Sequence, residues 1–332
     1  SNGFRLDGGD VEDRSGEYVS SAGDVNGDGY GDIIISGDGG DPDGKTDASE
    51  SSVVFGKASG WGASLDLSSL DGLNGFRLDG VDSEDYSSHI SDAGDINGDG
   101  FSDVIVASNN AGYDAGESYV VFGKAAGWAA DMDLSSLDGL NGFRLDGVDA
   151  GDVSGGQTRS AGDVNGDGYS DVIVGARKAD PDGKSNAGET YIVFGKASGW
   201  SASMNLSALN GSNGFRLDGV DADDWSGGSV SSAGDVNGDG YGDIIIGAIY
   251  ADPDGKNFAG ESYVVFGKAH WWSASMNLSS LDGSNGFRLD GVDANDYSGR
   301  LVSSAGDVNG DGYGDIIIGA RGADPNGKSS AG

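Results

Sequence analysis

The chain has 332 residues, of which 64 are glycine, 4 are proline and none is cysteine. Its 55 acidic residues outnumber 19 basic ones, and the formal net charge of −36 argues against nucleic acid or an anionic membrane surface as a partner. The absence of cysteine excludes disulfides and thiolate chemistry, and no apolar run approaches the length of a membrane span.

A unit of 67 to 72 residues recurs along the chain and opens with Gly-Phe-Arg-Leu-Asp-Gly. Such a period indicates a repeat architecture. The chain starts without methionine, and its first four residues recur from Ser284, so we expect it to be part of something longer. We predict a single domain over 1–332 with repeats 3–74, 75–141, 142–213, 214–285 and 286–332, the last of them incomplete.

The predicted strands keep the same order in every repeat, and the fourth repeat shows them clearly. Residues 215–217 predict a short strand, and residues 229–234 predict a strand of small side chains suited to a crowded axis. The β-branched run 244–246 indicates a buried strand, and 261–266 indicates another. Four short antiparallel strands per repeat are typical of a propeller blade, whereas a stacked solenoid has shorter turns. We predict an all-β propeller with about five blades.

A nine-residue motif, Asp-Val/Ile-Asn-Gly-Asp-Gly-Tyr/Phe-Gly/Ser-Asp, precedes the β-branched run in all five repeats. It places oxygen side chains at positions 1, 3, 5 and 9, and Ca²⁺ takes six to eight oxygens at about 2.3–2.6 Å. Glycines at positions 4 and 6 allow sharp turns, and the carbonyl of position 7 is the natural backbone ligand. We predict one Ca²⁺ per repeat, five in all, with these ligands: Asp24, Asn26, Asp28, Tyr30, Asp32, Asp95, Asn97, Asp99, Phe101, Asp103, Asp163, Asn165, Asp167, Tyr169, Asp171, Asp235, Asn237, Asp239, Tyr241, Asp243, Asp307, Asn309, Asp311, Tyr313 and Asp315.

The residues after the motif distinguish it from an EF-hand. An EF-hand continues to a bidentate glutamate at position 12 and opens a helix, but position 12 here is aliphatic, as at Ile246. The motif therefore predicts a loop between two strands. The alternative is an acidic turn without metal, which five copies disfavour.

A second motif, Asp-Pro-Asp/Asn-Gly-Lys, predicts a turn in preference to a second cation site. It starts at Asp41, Asp180, Asp252 and Asp324.

Together, Phe-Gly, the acidic loop and the phrase Ile-Ile-Gly-Ala resemble the FG-GAP repeat of integrin α-subunit propellers and of bacterial surface and secreted proteins. The resemblance implies a propeller in which the calcium loop links the first and second strands of each blade. It also implies an extracellular or cell-surface location and a role in adhesion. Two departures weaken integrin-like ligand recognition. The proline of the Gly-Ala-Pro phrase is absent, and every repeat carries the loop, whereas integrin propellers carry it in only some blades.

The two ends of the chain offer three arrangements. Residues 4–6 predict an outer strand without its own blade, and the last repeat supplies only two inner strands. Pairing them would close a five-bladed ring in which the N-terminal strand completes the last blade. Alternatively, the ring is larger, or a neighbouring molecule supplies the missing strand through the open blade edge.

Catalysis has little support in the sequence. His89 and His270 are far apart and not repeated, and nearly all aspartates recur with the repeats, whereas catalytic groups are normally unique. A tryptophan at a fixed distance after Phe-Gly-Lys indicates packing, while Trp271 in the fourth repeat is an extra aromatic that could stack on a sugar or simply be neutral variation.

We therefore predict a non-enzymatic, calcium-binding extracellular propeller. It would act as a binding or adhesion scaffold for a protein or polysaccharide ligand, with Ca²⁺ making the inter-strand loops rigid. The alternative is a structural subunit of a self-assembling filament or matrix joined by strand exchange. A third reading, a polysaccharide-degrading enzyme, would need a non-repeated cluster of acids.

Overall fold

The computed structural model describes residues 3–9, 11–83, 87–108, 115–328 and 330–332. Parts of the predicted repeats 3–74, 75–141 and 286–332 lie outside the described residues. The predicted all-β fold is confirmed. In chain order the strands are β1 Arg5–Asp7, β2 Tyr18–Gly23, β3 Asp32–Gly37, β4 Glu50–Val54, β5 Ser64–Asp66, β6 Gly75–Asp79, β7 Ser87–Gly94, β8 Asp103–Ser108, β9 Glu117–Val121, β10 Asp131–Asp133, β11 Gly142–Asp146, β12 Ser154–Gly162, β13 Asp171–Ala176, β14 Glu189–Val193, β15 Ser203–Asn205, β16 Gly214–Asp218, β17 Ser226–Gly234, β18 Asp243–Ala248, β19 Glu261–Val265, β20 Ser275–Asn277, β21 Gly286–Asp290, β22 Ser298–Gly306 and β23 Asp315–Ala320.

Short 3₁₀ turns lie between the strands. Those that begin with proline occupy the Asp-Pro motifs, which confirms the predicted turns, and those that begin with leucine are capped by the Asp or Asn that precedes them. The 3₁₀ turns are Pro42–Gly44, Leu67–Ser69, Leu134–Ser136, Pro181–Gly183, Leu206–Ala208, Pro253–Gly255, Leu278–Ser280 and Pro325–Gly327.

Four sheets form the blades of the propeller. Their strand orders are β2-β3-β4-β6-β10, β7-β8-β9-β11-β15, β12-β13-β14-β16-β20 and β17-β18-β19-β21. The first four strands of each are antiparallel, and the fourth carries the phrase that opens the next predicted repeat. The first strands β2, β7, β12, β17 and β22 pack against one another in that order, so they form the inner wall of the propeller.

A fifth strand, absent from the sequence prediction, extends three of the blades. In the third blade β20 pairs in parallel with β16, with Arg216 opposite Ser275 and Asp218 opposite Asn277. The strand has only three residues, and its partner lies in an earlier part of the chain, so neither alternation nor length marks it in the sequence.

The prediction that the N-terminal strand completes the last blade is wrong for this structure. Within the described residues β1 pairs only with β5, and β22 pairs only with β23. The physical reason is order within a blade, because a fourth strand forms its antiparallel ladder with a third strand and not with a second one. Since β23 is a second strand and no third strand comes after it in the described part of the chain, β1 has no ladder to join there.

The hydrophobic core lies between neighbouring blades. Ile173 and Ile192 of the third blade pack in one cluster with Ile244 and Ile246 of the fourth, and all four are buried. This confirms that the β-branched run is a buried strand, and it packs between blades. The predicted packing role of the regular tryptophans is also confirmed: Trp272 stacks on Phe215 with ring centroids 3.9 Å apart. The same stack forms at Trp61, Trp128 and Trp200.

Candidate metal centres

Each acidic loop joins the first and second strands of its blade, as the resemblance implies. In the fourth repeat it connects β17 to β18, and its side chains turn back onto its own backbone. Asp235 Oδ1 accepts from Gly238 N at 2.6 Å, and its Oδ2 accepts from Gly240 N at 2.8 Å. Asn237 Oδ1 accepts from Asp239 N at 2.9 Å. Positions 1 and 3 therefore direct side-chain oxygens into the curve of the loop.

The aspartate at position 9 holds the loop in place through hydrogen bonds. Asp243 is buried, and its two oxygens accept hydrogen bonds at 2.8 Å from Val236 N of the loop and Gly267 N after the third strand. Asp32, Asp103 and Asp171 make the same pair of bonds. Each carboxylate oxygen has a further lone pair, so these bonds leave acceptor capacity.

Burial makes the position-9 carboxylates hard to ionise. It raises the pKa of Asp103 and Asp171 to about 8 and that of Asp32 and Asp243 to about 6. Hydrogen bonds from backbone N–H groups oppose this rise, and repulsion from the aspartates at positions 1 and 5 adds to it. A positive charge in the loop would offset both the cost of ionising a buried carboxylate and the repulsion between the carboxylates.

The donor chemistry of the loops fits a hard cation, because positions 1, 3, 5, 7 and 9 offer only oxygen from carboxylates, an amide and a carbonyl. Their arrangement is that of a hydrogen-bonded loop. Asn237 Nδ2, for example, donates to Asp239 Oδ2 at 2.8 Å. Within the described part of the chain, no group of three or more His, Cys, Asp or Glu side chains is arranged to hold a metal ion. The assignment of these residues as ligands thus stays a prediction.

Successive loops are joined to one another. The carbonyl of position 1 accepts from the N–H of position 8 in the next loop, as between Asp95 and Ser170 at 3.0 Å and between Asp163 and Gly242 at 2.8 Å. The ring at position 7 also lies over the position-4 glycine of the preceding loop, as Tyr241 lies over Gly166. Sequence reasoning missed this contact, although the aromatic residue that recurs at position 7 was its signal.

Trp271 differs from the structural tryptophans. It is 93% exposed and has φ +66°, whereas the matching positions of three earlier repeats hold glycine at φ +79° to +83°. With His270 and Trp272 it borders a surface depression of about 710 Å³ that reaches the third loop at Asp167. The bulky residue thus adopts a backbone conformation that favours glycine.

The two histidines do not form a catalytic pair. His89 is buried, and its Nδ1 donates to the Thr158 carbonyl oxygen at 3.1 Å. Its Nε2 lies 3.4 Å from Arg159 Nη2. His270 lies in the surface depression beside Trp271.

Comparison with known proteins gives one family and several relatives. The FG-GAP repeat profile matches residues 90–121, 156–193, 226–265 and 299–332. Integrin alpha-PS2 of Drosophila melanogaster is 27% identical over 74% of this chain and 16% of its own length. Integrin alpha pat-2 of Caenorhabditis briggsae is 30% identical over 71% of this chain and 18% of its own length.

A relative of another kind is phosphatidylinositol-glycan-specific phospholipase D of Bos taurus, 29% identical over 52% of this chain and 19% of its own length. The chain therefore spans less than a fifth of each of these three relatives. Among the described residues, no helix has the length and apolar character needed to cross a membrane.

Proposed function

The chain belongs to the FG-GAP repeat family of integrin α-type propellers, and from that premise we propose that it is a calcium-stabilised adhesion scaffold outside the cell. In this proposal each of the five acidic loops holds one Ca²⁺. The ligands are the side chains at positions 1, 3, 5 and 9 and the carbonyl at position 7. The bound ion would neutralise the clustered carboxylates and fix the loop between two strands.

The observation that carries the proposal is the side-chain geometry of the loops. Asp235 and Asn237 already point their oxygens into the loop while glycines at φ +76° and +90° turn the backbone between them. Buried Asp243 adds a carboxylate that the protein environment keeps from ionising easily. In an acidic turn with no cation, only the two backbone hydrogen bonds would offset the cost of burying this carboxylate.

We propose a binding role in preference to catalysis. One relative is named as a phospholipase D, but the match covers only 19% of it. The carboxylates of the loops recur in all five repeats, and a repeated group serves the blade in which it recurs.

A count of bound ions tests the calcium sites directly. Native mass spectrometry of the chain in Ca²⁺ should give five ions per molecule, and Asp239→Ala should give four. Asp254→Ala, which removes an exposed carboxylate from an Asp-Pro turn of the same repeat, is the control and should keep five. A wild-type chain that binds no ion, or equal losses in the two variants, would refute the assignment.

One observation favours a second candidate, a filament or matrix subunit. The outer edge of β23 pairs with no strand of the described residues, and Ile317 on that strand is 60% exposed. An open edge of this kind can accept a strand from another molecule. Electron microscopy of the chain at high concentration would show elongated assemblies if strand exchange joins copies, and dispersed single particles if it does not.

A further inference from the structure

Several positions at which the five repeats differ meet in one pocket. A cavity of about 350 Å³ lies at the start of the inner strands, and its lining residues come from only four positions of the repeat. One of these positions holds Tyr18, Gln157 and Leu301 in the first, third and fifth repeats, and all three line the cavity. The matching residues of the second and fourth repeats are His89 and Ser229.

The other lining positions vary in the same way. The position before this one holds glycine in the third and fourth repeats and Arg300 in the fifth. Gln157 pairs with Gly175 of the neighbouring strand, and Arg177 lies two residues after Gly175. The matching residue of the fourth repeat is Ile249. Trp225 in the fourth repeat corresponds to Val153 in the third.

The repeat positions that line the cavity differ from those that build the blades. Every blade needs the same packing, so the positions that build blades carry the same residues. Positions that are free to differ on every blade, yet converge on one cavity, create an asymmetric surface suited to one ligand.

The charges in the cavity specify the ligand further. Each arginine of the Gly-Phe-Arg-Leu-Asp phrase that lies within a complete blade pairs with acidic side chains, as Arg216 does with Glu189 at 3.2 Å and with Asp218 at 2.6 Å. In the described part of the chain, by contrast, no carboxylate pairs with Arg177 or Arg300. Arg177 is half-buried, and burial together with repulsion from Arg300 lowers its pKa. Two guanidinium groups therefore face one cavity without counter-charges.

The rest of the lining is apolar or neutral. The Arg177 guanidinium lies 5.7 Å from the centre of the Trp225 ring, and Ile249 and Leu301 complete this side. Tyr18 also lines the cavity, and Glu17 and Asp38 add to the effect of burial in raising the pKa of its phenol. Asp38 pairs with Arg14 at 3.4 Å, so the arginines without counter-charges are the main charges of the lining.

We propose that this axial pocket binds an organic carboxylate, with its oxygens on Arg177 and Arg300 and its apolar body against Trp225 and Leu301. The planar guanidinium is suited to carboxylates, since it donates two parallel N–H bonds and stacks on aromatic rings. By naming a ligand class for the binding scaffold proposed above, this inference rests on that proposal.

Isothermal titration with phenylacetate tests the pocket, and phenylacetamide supplies the same body without the charge. Two variants place in the pocket the residue that another repeat holds there: Arg177→Ile copies Ile249, and Arg300→Gly copies Gly228. We expect saturable one-to-one binding of phenylacetate, weakened about tenfold or more in each variant, because a charge-assisted hydrogen bond contributes about 1.5–3 kcal/mol. Phenylacetamide should bind about tenfold more weakly than phenylacetate to the wild-type chain.

The matched control is Arg321→Ile. Arg321 occupies the position of Arg177 in the fifth repeat, but it lies over the Tyr297 ring at 5.1 Å and is not among the residues that line the cavity, so this variant should bind phenylacetate as the wild type does. The proposal is overturned if phenylacetate does not saturate the wild-type chain, if phenylacetamide binds equally well, or if the pocket variants retain full affinity. Tighter binding of inorganic sulfate or phosphate at the same arginines would also overturn it.

Thermal melts of the same samples with and without Ca²⁺ separate the two proposals. A pocket that binds phenylacetate in a chain indifferent to Ca²⁺ would refute the calcium sites and leave the pocket standing. A chain stabilised by Ca²⁺ that ignores phenylacetate would refute the pocket alone.

Discussion

Gly98 lies against the ring of Tyr169 in the next loop, so closely that a Cβ atom on Gly98 would fall 2.3 Å from Tyr169 Cε1. The same contact joins Gly27 to Phe101, Gly166 to Tyr241 and Gly238 to Tyr313. Together with the backbone bond from Ser170 N to the Asp95 carbonyl oxygen, it couples neighbouring loops into a chain. A change at one loop therefore reaches the next.

Gly98→Ala should destabilise the protein by more than the strain of its backbone conformation. The methyl group would force Tyr169 aside, and such overpacking costs about 1–3 kcal/mol, in addition to about 1–2 kcal/mol for a left-handed alanine. Urea unfolding measures the total. Gly310→Ala is the control, since Gly310 has a similar φ, +76° against +72°, but no atom within 4 Å of its Cβ position. Equal losses in the two variants would show that the contact contributes nothing.

Trp200→Ala should lower the free energy of unfolding by about 2–3 kcal/mol, less than the 3–5 kcal/mol typical of a fully buried aromatic. Trp200 stacks on Phe143 at 4.1 Å and its Nε1 donates to the Lys196 carbonyl oxygen at 3.0 Å. Its side chain is half-buried, which sets the smaller figure. Chemical unfolding followed by circular dichroism measures the loss, and a change below about 0.5 kcal/mol would contradict a packing role.

Trp271→Gly should stabilise the protein. The variant restores the residue of the three earlier repeats at a φ of +66°, a conformation that costs most residues about 1–2 kcal/mol. Because the indole is almost fully exposed, little packing is lost with it. A rise in the melting temperature is the expected result, and a fall would mean that Trp271 makes stabilising contacts.

Because His89 is buried in its neutral form, the free energy of unfolding should decrease as the pH falls. Burial lowers the pKa of His89 to about 4, repulsion from Arg159 adds to this, and the bond to the Thr158 carbonyl opposes it. The unfolded chain has a histidine pKa of about 6.5. The contribution of neutral His89 is therefore complete above pH 6.5 and is lost as the pH falls towards 4.

His89→Gln isolates this effect from other titrating groups. The difference in free energy of unfolding between wild type and variant should shrink between about pH 7 and pH 4. Urea unfolding at several pH values measures it. A difference that stays constant across this range would show that His89 is not titrating as its burial demands.

Sequence reasoning located most of the strands because their residues are locally distinctive. The isoleucine triplet at 244–246 lies within strand Asp243–Ala248, and each acidic loop joins two strands as expected. The short strand β20 escaped because its ladder joins residues that lie far apart in the chain, with Met276 opposite Leu217. No pattern within three residues marks such a pairing.

One candidate site could be recognised in the sequence and the other could not. The loop oxygens are recognisable because their spacing repeats, whereas Arg177 and Arg300 lie far apart in sequence and become neighbours only when the inner strands pack together. Alignment of the five repeats would have marked the lining positions as candidates, since they are among the positions where the repeats disagree. Which of these positions share a cavity depends on the curvature of the blades, and that lies outside any local pattern.

Thermal unfolding in EDTA, in Mg²⁺ and in Ca²⁺ tests the calcium sites most directly. With dissociation constants of about 10⁻⁴–10⁻³ M, Ca²⁺ at about 10 mM should add about 1.4–2.7 kcal/mol per site. Five sites should thus raise the melting temperature by a large amount, and Mg²⁺ should do so far less because it demands a smaller, octahedral set of ligands. Identical melts in all three buffers would mean that the loops are acidic turns without metal.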